Sequence, residues 1–435
     1  MHAWGQNSCF SRQKRGIWLD RSGGQAHVAV KLVNIGWPSI REPVILNDDE
    51  TGEIRLITDT DALVDACKRL SEGDFLAVDT EFHRETTYWP QVCLIQVANA
   101  DYDVLVDPIA KGIDLSPMLK LLADISKVKV FHAARQDLEI FTRLIGHTPA
   151  PIFDTQIAAM ACGLGDSISY ENLVSRVLKG TVDKSSQFTD WARRPLSEKQ
   201  LRYARGDVVY LRKIYRILSE KLAKQNRTDW IADEHDALLD PEIYAFDPET
   251  AWKRQKIRKY KSDYLAVLAN VSAWRERVAQ ETDKPRGRIL KDDAIQEIAQ
   301  QKPRTADALE RMRAVPNGFA KSKHGQGLIH AINQALDDPD KYAPDVERPE
   351  SAGPPPGAVG ELLKVLLKQV SDEAGVATRL IANAADLEKL ARDDNPDIAA
   401  LKGWRREVFG EMALRLKSGK VALAASPKGV KIVEV

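Results

Sequence analysis

Between Phe75 and Val106 three apolar runs, FLAVD, QVCLIQVA and YDVLVD, follow one another, and nothing else in the chain limits its fold as strongly. Runs this short and rich in Val, Ile and Leu suit buried strands. Behind them the pattern alternates. SPMLKLLADI reads as a helix with a Ser cap and Pro at its first position, KVKVFH as a strand, and RQDLEIFTRLIG as a helix closed near Gly146; IRLIT and the helical DALVDACKRL stand in front. Consecutive strands followed by alternating strands and helices predict a mixed sheet with helices packed against it, an α/β domain.

The first of these strands runs directly into Asp79, Thr80 and Glu81. Side chains two apart on a strand leave the same face, so two carboxylates are expected to converge at its end. Burial and a like neighbour both penalise their charged forms, and a hard divalent cation relieves both. An isolated pair of this kind is more often a solvated strand end. Here, however, Asp137 follows KVKVFHAARQ, and Tyr203 and Asp207 stand four apart on one surface of a helix whose apolar positions include Leu201, Val208, Leu211, Ile214 and Leu218. Acids spread in this way over one domain meet the requirements of two-metal phosphoryl transfer.

With 435 residues the chain is expected to form more than one domain. Lys plus Arg and Asp plus Glu number 63 each, so no global field points to a polyanionic partner, and local basic patches must provide any such contact. Four scattered cysteines form no zinc-ligand spacing, and the expected compartment is the reducing cytoplasm. No apolar run is long enough for a membrane span, and residues 1–50 read as a poorly ordered extension.

The α/β pattern is assigned to residues 51–245. From 246 to 342 the pattern is wholly helical, and it begins with the basic stretch WKRQKIRKYK, which suits either a phosphate backbone or a solvated helix face. Pro and Gly mark a stiff linker at 343–357, and a second helical set with a tail fills 358–435. Both sets carry a Trp-Arg pair, Trp274-Arg275 and Trp404-Arg405, but in different helices.

FLAVDTEF, HAARQD and YARGDVVYL, in that order, resemble the three motifs of the DEDD exonuclease superfamily in its tyrosine-bearing branch. ETTYWPQVCLIQVA and DWARRPLSEKQLRYARGD make the chain similar to the ribonuclease D family within it, and the helical sets resemble HRDC domains, the second more divergent. The resemblance covers roughly residues 53 to 425. It implies a ribonuclease-H-like sheet, with Asp79, Glu81, Asp137 and Asp207 as ligands of two Mg²⁺ ions, Mn²⁺ being an alternative, and Tyr203 orienting the attacking water. In that scheme Asp79 bridges the ions, Glu81 and Asp207 serve the water-activating one, and Asp137 reaches the leaving-group ion through water.

The implied activity is 3′ to 5′ trimming of RNA with a free 3′ end, tRNA precursors first, by a monomer with no membrane partner that releases nucleoside 5′-monophosphates. The HRDC-like sets would grip structured RNA and pivot on their linker. Phe82, Tyr88, His132 and Arg135 are candidate substrate contacts; the aromatics could stack on bases or fill the core, and His132 could be a packing residue. Asp154 reads as a strand-end or cap acid, and Trp191 and Arg194 as candidates for the substrate rim. A DNA-directed exonuclease would use the same chemistry. A non-catalytic nucleic-acid-binding scaffold would require a missing acid, and none is missing.

Overall fold

In the computed structural model, described over residues 52–183, 185–346, 357–427 and 429–435, the three apolar runs form half of a six-stranded sheet. Its strands are β1 (Leu56–Ile57), β2 (Phe75–His83), β3 (Gln91–Ala98), β4 (Asp103–Val106), β5 (Val128–Phe131) and β6 (Ile152–Asp154), in the order β1-β4-β3-β2-β5-β6. β2 with β3 and β3 with β4 are antiparallel, and the remaining pairs are parallel. The mixed sheet is as expected.

Alternation along the strands gives the sheet two different faces. Leu76, Val78, Ile95, Val97, Val104 and Val106 point to one, where they pack on α1 (Thr60–Leu70), α2 (Ser116–Leu122) and α3 (Arg135–Ile145) through residues such as Leu63, Met118 and Leu138. Leu94 and Leu105 point to the other, against Ala204 of the long helix α6 (Glu198–Lys224). Between these lie α4 (Thr155–Ala161) and α5 (Tyr170–Leu178). α6 starts at a reciprocal cap: Ser197 accepts from Gln200 while the Gln200 side chain accepts from the Ser197 backbone.

Local termini largely follow the sequence. Gly146 closes α3 in the left-handed region with φ 89°. α2 differs, because Ser116 is its first residue rather than its cap and bonds to Asp114 instead.

After α7 (Ala232–Leu239), the first helical set comprises α8 (Ser262–Glu281), the single turn α9 (Arg286–Ile289), α10 (Asp292–Gln301), α11 (Ala306–Glu310), α12 (Lys323–Asp337) and the short α13 (Pro339–Tyr342). Tyr88 and Trp89, from the loop after β2, enter its core. The Tyr88 hydroxyl donates to Glu276 and accepts from Arg286 at 2.8 Å, and Asp283 accepts from the backbones of Tyr88 and Trp89. Glu276 is fully buried and also meets Arg254 at 2.7 Å. The basic stretch is not a helix beyond Arg254; Lys256, Arg258, Lys259 and Lys261 lie exposed on irregular chain.

The second set holds α14 (Gly357–Ala374), α15 (Thr378–Ile381), α16 (Ala384–Arg392), α17 (Gly403–Arg405), a π turn and α18 (Glu411–Lys417). Beyond α18 the structure departs from the expected helix. Gly419 turns the chain at φ 70°, and alternating apolar residues pair as a hairpin, β7 (Val421–Ser426) with β8 (Gly429–Glu434). Free pivoting of this set was also expected, but it is fastened to the α/β unit. Asp166 accepts from Thr378 and Arg379, Arg405 pairs with Asp233 and Glu234, and the Trp230 and Trp404 rings stack at 4.2 Å. The extension at 1–50 and most of the linker lie outside the described residues. No described helix is long and apolar enough to cross a membrane.

Candidate active site

Asp79 and Glu81 leave β2 on the face that α6 covers. Opposite them in the β2–β3 register stand Gln96 and Leu94. Across the gap α6 presents Asp207, one turn beyond Tyr203, and one carboxylate oxygen from each of Asp79, Glu81 and Asp207 lies within 4.8 Å of the others. The strand and the helix thus carry the converging groups, as the spacing implied.

Asp137 arrives from the other side of the strand. It lies in the first turn of α3, and the Thr80 hydroxyl, between the two acids in sequence, donates to its Oδ1 at 2.5 Å. Among the described residues it stands outside the tight group of three. The start of α3 is set by Asp154, whose carboxylate accepts from the backbone N–H groups of Ala133 and Ala134 and, as the N-cap of α4, from that of Gln156. Ala133 takes a left-handed φ of 57° there. The Asp154 backbone in turn donates to Nε2 of buried His235, whose pKa burial pushes down to about 4.

The electrostatics follow from this crowding. Burial, then Asp207 and Asp137, hold Asp79 well above the usual carboxylate range. Burial, Asp79 and Asp137 push Glu81 up to about 9, and burial pushes Asp137 up to about 7 against the Thr80 hydrogen bond. Burial and then Glu81 raise Asp207 well above its ordinary value. Burial, then Asp207, Glu81 and Asp79, raise the Tyr203 phenol too, so it stays a proton donor. Only oxygen donors converge here, and they repel one another, which suits a hard divalent cation and leaves softer metals without their preferred ligands. The residues present therefore fit Mg²⁺ or Mn²⁺. A cleft of about 710 Å³ opens beside Tyr203, lined also by Lys199, Arg202 and Tyr210.

The other candidate residues divide. Phe82 is half-buried at the bulge that follows Glu81, and Arg135 is exposed at the start of α3. His132 is occupied by Thr155 at 3.0 Å and the Ile168 carbonyl at 3.1 Å. Tyr88 is 3 % exposed inside the first helical set, which makes it a core aromatic. Trp191 is buried beneath Tyr203, and Arg194 clamps Asp107 and the Cys93 carbonyl, so neither forms a rim. Tyr170 escaped the sequence reading; its hydroxyl donates to the Asp207 carbonyl and ties α5 to the turn of α6 that carries Asp207. A tyrosine at a helix start carries no local sign of that contact.

Residues 54–223 match the family model described as 3′-5′ exonuclease, and residues 264–332 the HRDC domain model. Ribonuclease D of Gluconacetobacter diazotrophicus is 47% identical over 376 residues, 86% of this chain and 96% of that protein. Ribonuclease D of Acidiphilium cryptum is 44% identical over 399 residues, 92% of this chain and 99% of that one. The crystal structure of Escherichia coli RNase D, described as an exoribonuclease involved in structured RNA processing, superposes with TM-score 0.72 at 28% identity, covering 84% of this chain and 99% of its own. Motif order, site geometry and relatives matched along almost their whole length agree that this chain belongs to the ribonuclease D family of 3′–5′ exoribonucleases.

Proposed function

We propose that the protein is a divalent-metal-dependent enzyme that trims the 3′ ends of structured RNA, tRNA precursors first among them. One observation carries this reading: three carboxylates converge within 4.8 Å, with Tyr203 one helical turn from one of them.

In this proposal Asp79, Glu81 and Asp207 hold the metal, and Asp137 contributes through water. When bound, a Mg²⁺ pair supplies an activated water and offsets charge on the departing 3′ oxygen. Tyr203, kept protonated by its burial and then by the neighbouring acids, holds the attacking water by its hydroxyl. Thr80 keeps the Asp137 carboxylate in one rotamer. The water oxygen joins phosphorus, the bond from phosphorus to the 3′ oxygen breaks, and that oxygen takes up a proton. A nucleoside 5′-monophosphate leaves, and the shortened RNA keeps a free 3′ hydroxyl.

The exposed Lys253, Lys256, Arg258, Lys259 and Lys261 form a strip for RNA phosphates. Domain boundaries belong to the same reading: 51–245 for the nuclease, 246–342 and 358–435 for two HRDC-like units, and a linker at 343–357. Matching element order supports the second unit. In both sets a long helix precedes a single turn, and the Arg after the Trp donates to a backbone carbonyl of that turn or its cap, Arg275 to Leu290 and Arg405 to Leu380. The enzyme acts as a monomer in the cytoplasm, where its buried thiols Cys67, Cys93 and Cys162 stay reduced.

The test is digestion of a tRNA transcript carrying a 3′ extension, beside a DNA of matched sequence, with Mg²⁺ or chelator. Wild type should shorten the RNA stepwise only with metal, and Asp79→Ala should bind the RNA without shortening it. Trimming that survives chelator, or that survives in Asp79→Ala, refutes the assignment.

A further inference from the structure

Gln96 is fully buried in the centre of β3, and neither its amide nitrogen nor its amide oxygen has a hydrogen-bond partner. An amide in this condition loses its hydration with nothing in return, a state that folded chains seldom tolerate without a reason. Its place gives the reason. Gln96 is the direct cross-strand partner of Asp79, and residues opposite each other in an antiparallel pair project from the same face. Its neighbours on β3 and β4 are apolar, Leu105 opposite it on β4 and Leu94 and Ala98 two positions away along β3, while Glu81 and Asp207, further acids on this face, converge with Asp79 itself. Asp103, the next acid on that face, already accepts from Arg205 and lies near Arg212.

We propose that Gln96 is a positioning residue for the metal site, its amide N–H donating to the Asp79 carboxylate when that carboxylate holds a cation. This rests on the reading of Asp79 as a metal ligand. Complete burial keeps Gln96 from touching RNA, so it acts through Asp79. A neutral amide suits the task. It can fix which carboxylate oxygen faces the cation without adding another negative charge, as Glu would, and without competing for the carboxylate, as Lys would. Hydrogen bonds from a neutral donor to an anion are short and directional, and such outer partners hold ligands in their binding rotamer.

The test uses Gln96→Leu and the volume-conserving Gln96→Met in the full-length protein. Unfolding is followed in chelator and across a Mg²⁺ titration, and kcat and KM are measured on a 3′-extended RNA. The metal-free variants should unfold at or above the wild-type temperature, because the unsatisfied amide is gone. Their Mg²⁺ midpoint should rise about 10- to 100-fold. At limiting Mg²⁺ kcat should fall with KM for RNA unchanged, and excess Mg²⁺ should restore it. Wild-type Mg²⁺ midpoints in both variants overturn the inference and leave a packing or water-binding role, and so does failure of both to fold. A wild-type protein that Mg²⁺ does not stabilise overturns the metal reading itself, and this inference with it.

Discussion

Replacing Glu81 by Gln should make the metal-free protein more stable while impairing the enzyme. In the unfolded chain Glu81 ionises near 4.5, but in the folded chain burial, Asp79 and Asp137 hold its proton until about pH 9. A raised carboxyl pKa means that the folded state binds more protons than the unfolded one, so stability is full below 4.5 and is lost as pH rises toward 9. pH 7 lies two and a half units above the unfolded value of 4.5 and still below the folded value of about 9, so at about 1.4 kcal/mol per unit the loss there is about 3 kcal/mol. The carboxylate is partly exposed and its neighbours relax, which reduces the figure to about 1–3 kcal/mol. Gln has the same shape and no proton to lose. In chelator at pH 7 Glu81→Gln should therefore melt higher than wild type, by about 2–4 °C per kcal/mol for a domain of this size. The advantage should vanish near pH 4.5 and grow with pH, and it should shrink or reverse in saturating Mg²⁺, which stabilises wild type more. Thermal unfolding at several pH values, with and without Mg²⁺, measures all of this. An unchanged or lowered melting temperature in chelator at pH 7, or a gain equal at pH 5 and pH 8, would refute the claim that these acids are forced together against their repulsion.

Other expectations follow from other parts of the molecule. Tyr203→Phe should lower kcat about 100-fold while leaving the Mg²⁺-induced rise in melting temperature intact; a lost metal response would show that the hydroxyl serves the metal site instead. Glu276→Gln leaves Arg254 and Arg286 around an uncharged buried group and should cost about 3–5 kcal/mol, read as earlier unfolding and faster proteolysis of the first helical set. Asp154→Ala removes the acceptor for Ala133, Ala134 and Gln156, so kcat should fall with the backbone start of α3, although Asp154 itself touches no substrate. Reversing the charges of Lys256, Arg258 and Lys259 should raise KM for long RNA and flatten its salt dependence, yet leave cleavage of a dinucleotide unchanged.

The parts of this site that sequence made legible depend on short-range periodicity. Asp79 and Glu81 share a face because strands repeat every two residues, and Tyr203 and Asp207 because helices repeat every 3.6. What remained hidden depends on partners distant in the chain. Tyr88 sits in an aromatic stretch that could equally stack on bases, and only the first helical set, contributing Glu276 and Arg286, makes it a core residue. Gln96 lies inside an apolar run where a polar side chain looks like an irregularity, and its meaning depends on the β2–β3 register. The terminal hairpin was missed for a different reason: after α18 the small and β-branched residues of KVALA fit helix and strand alike, and the turn at Gly419 decides between them.

These hidden contacts share a direction, and it explains why the site needs so large a frame. Carboxylates that repel one another would drift apart on mobile supports, so each carrier is fixed by something outside the group of acids. β2 is central in the sheet, between β3 and β5. α6 is capped by Ser197 and Gln200 and held at Asp207 by the Tyr170 hydroxyl. α3 starts where Asp154 places it, and Asp154 is itself bonded through its backbone to His235 on α7, the helix that also supplies Asp233 and Glu234 to Arg405 of the second helical set. The packing of the described residues thus holds together acids whose charged forms burial and then mutual repulsion disfavour, and a cation would restore those charged forms. If that balance is right, a change at Arg405, remote in sequence from every acid, should loosen α7 and with it His235 and Asp154. Arg405→Ala should then lower kcat modestly as well as undocking the second set, whereas undocking with kcat unchanged would show that the frame around α3 is complete without it.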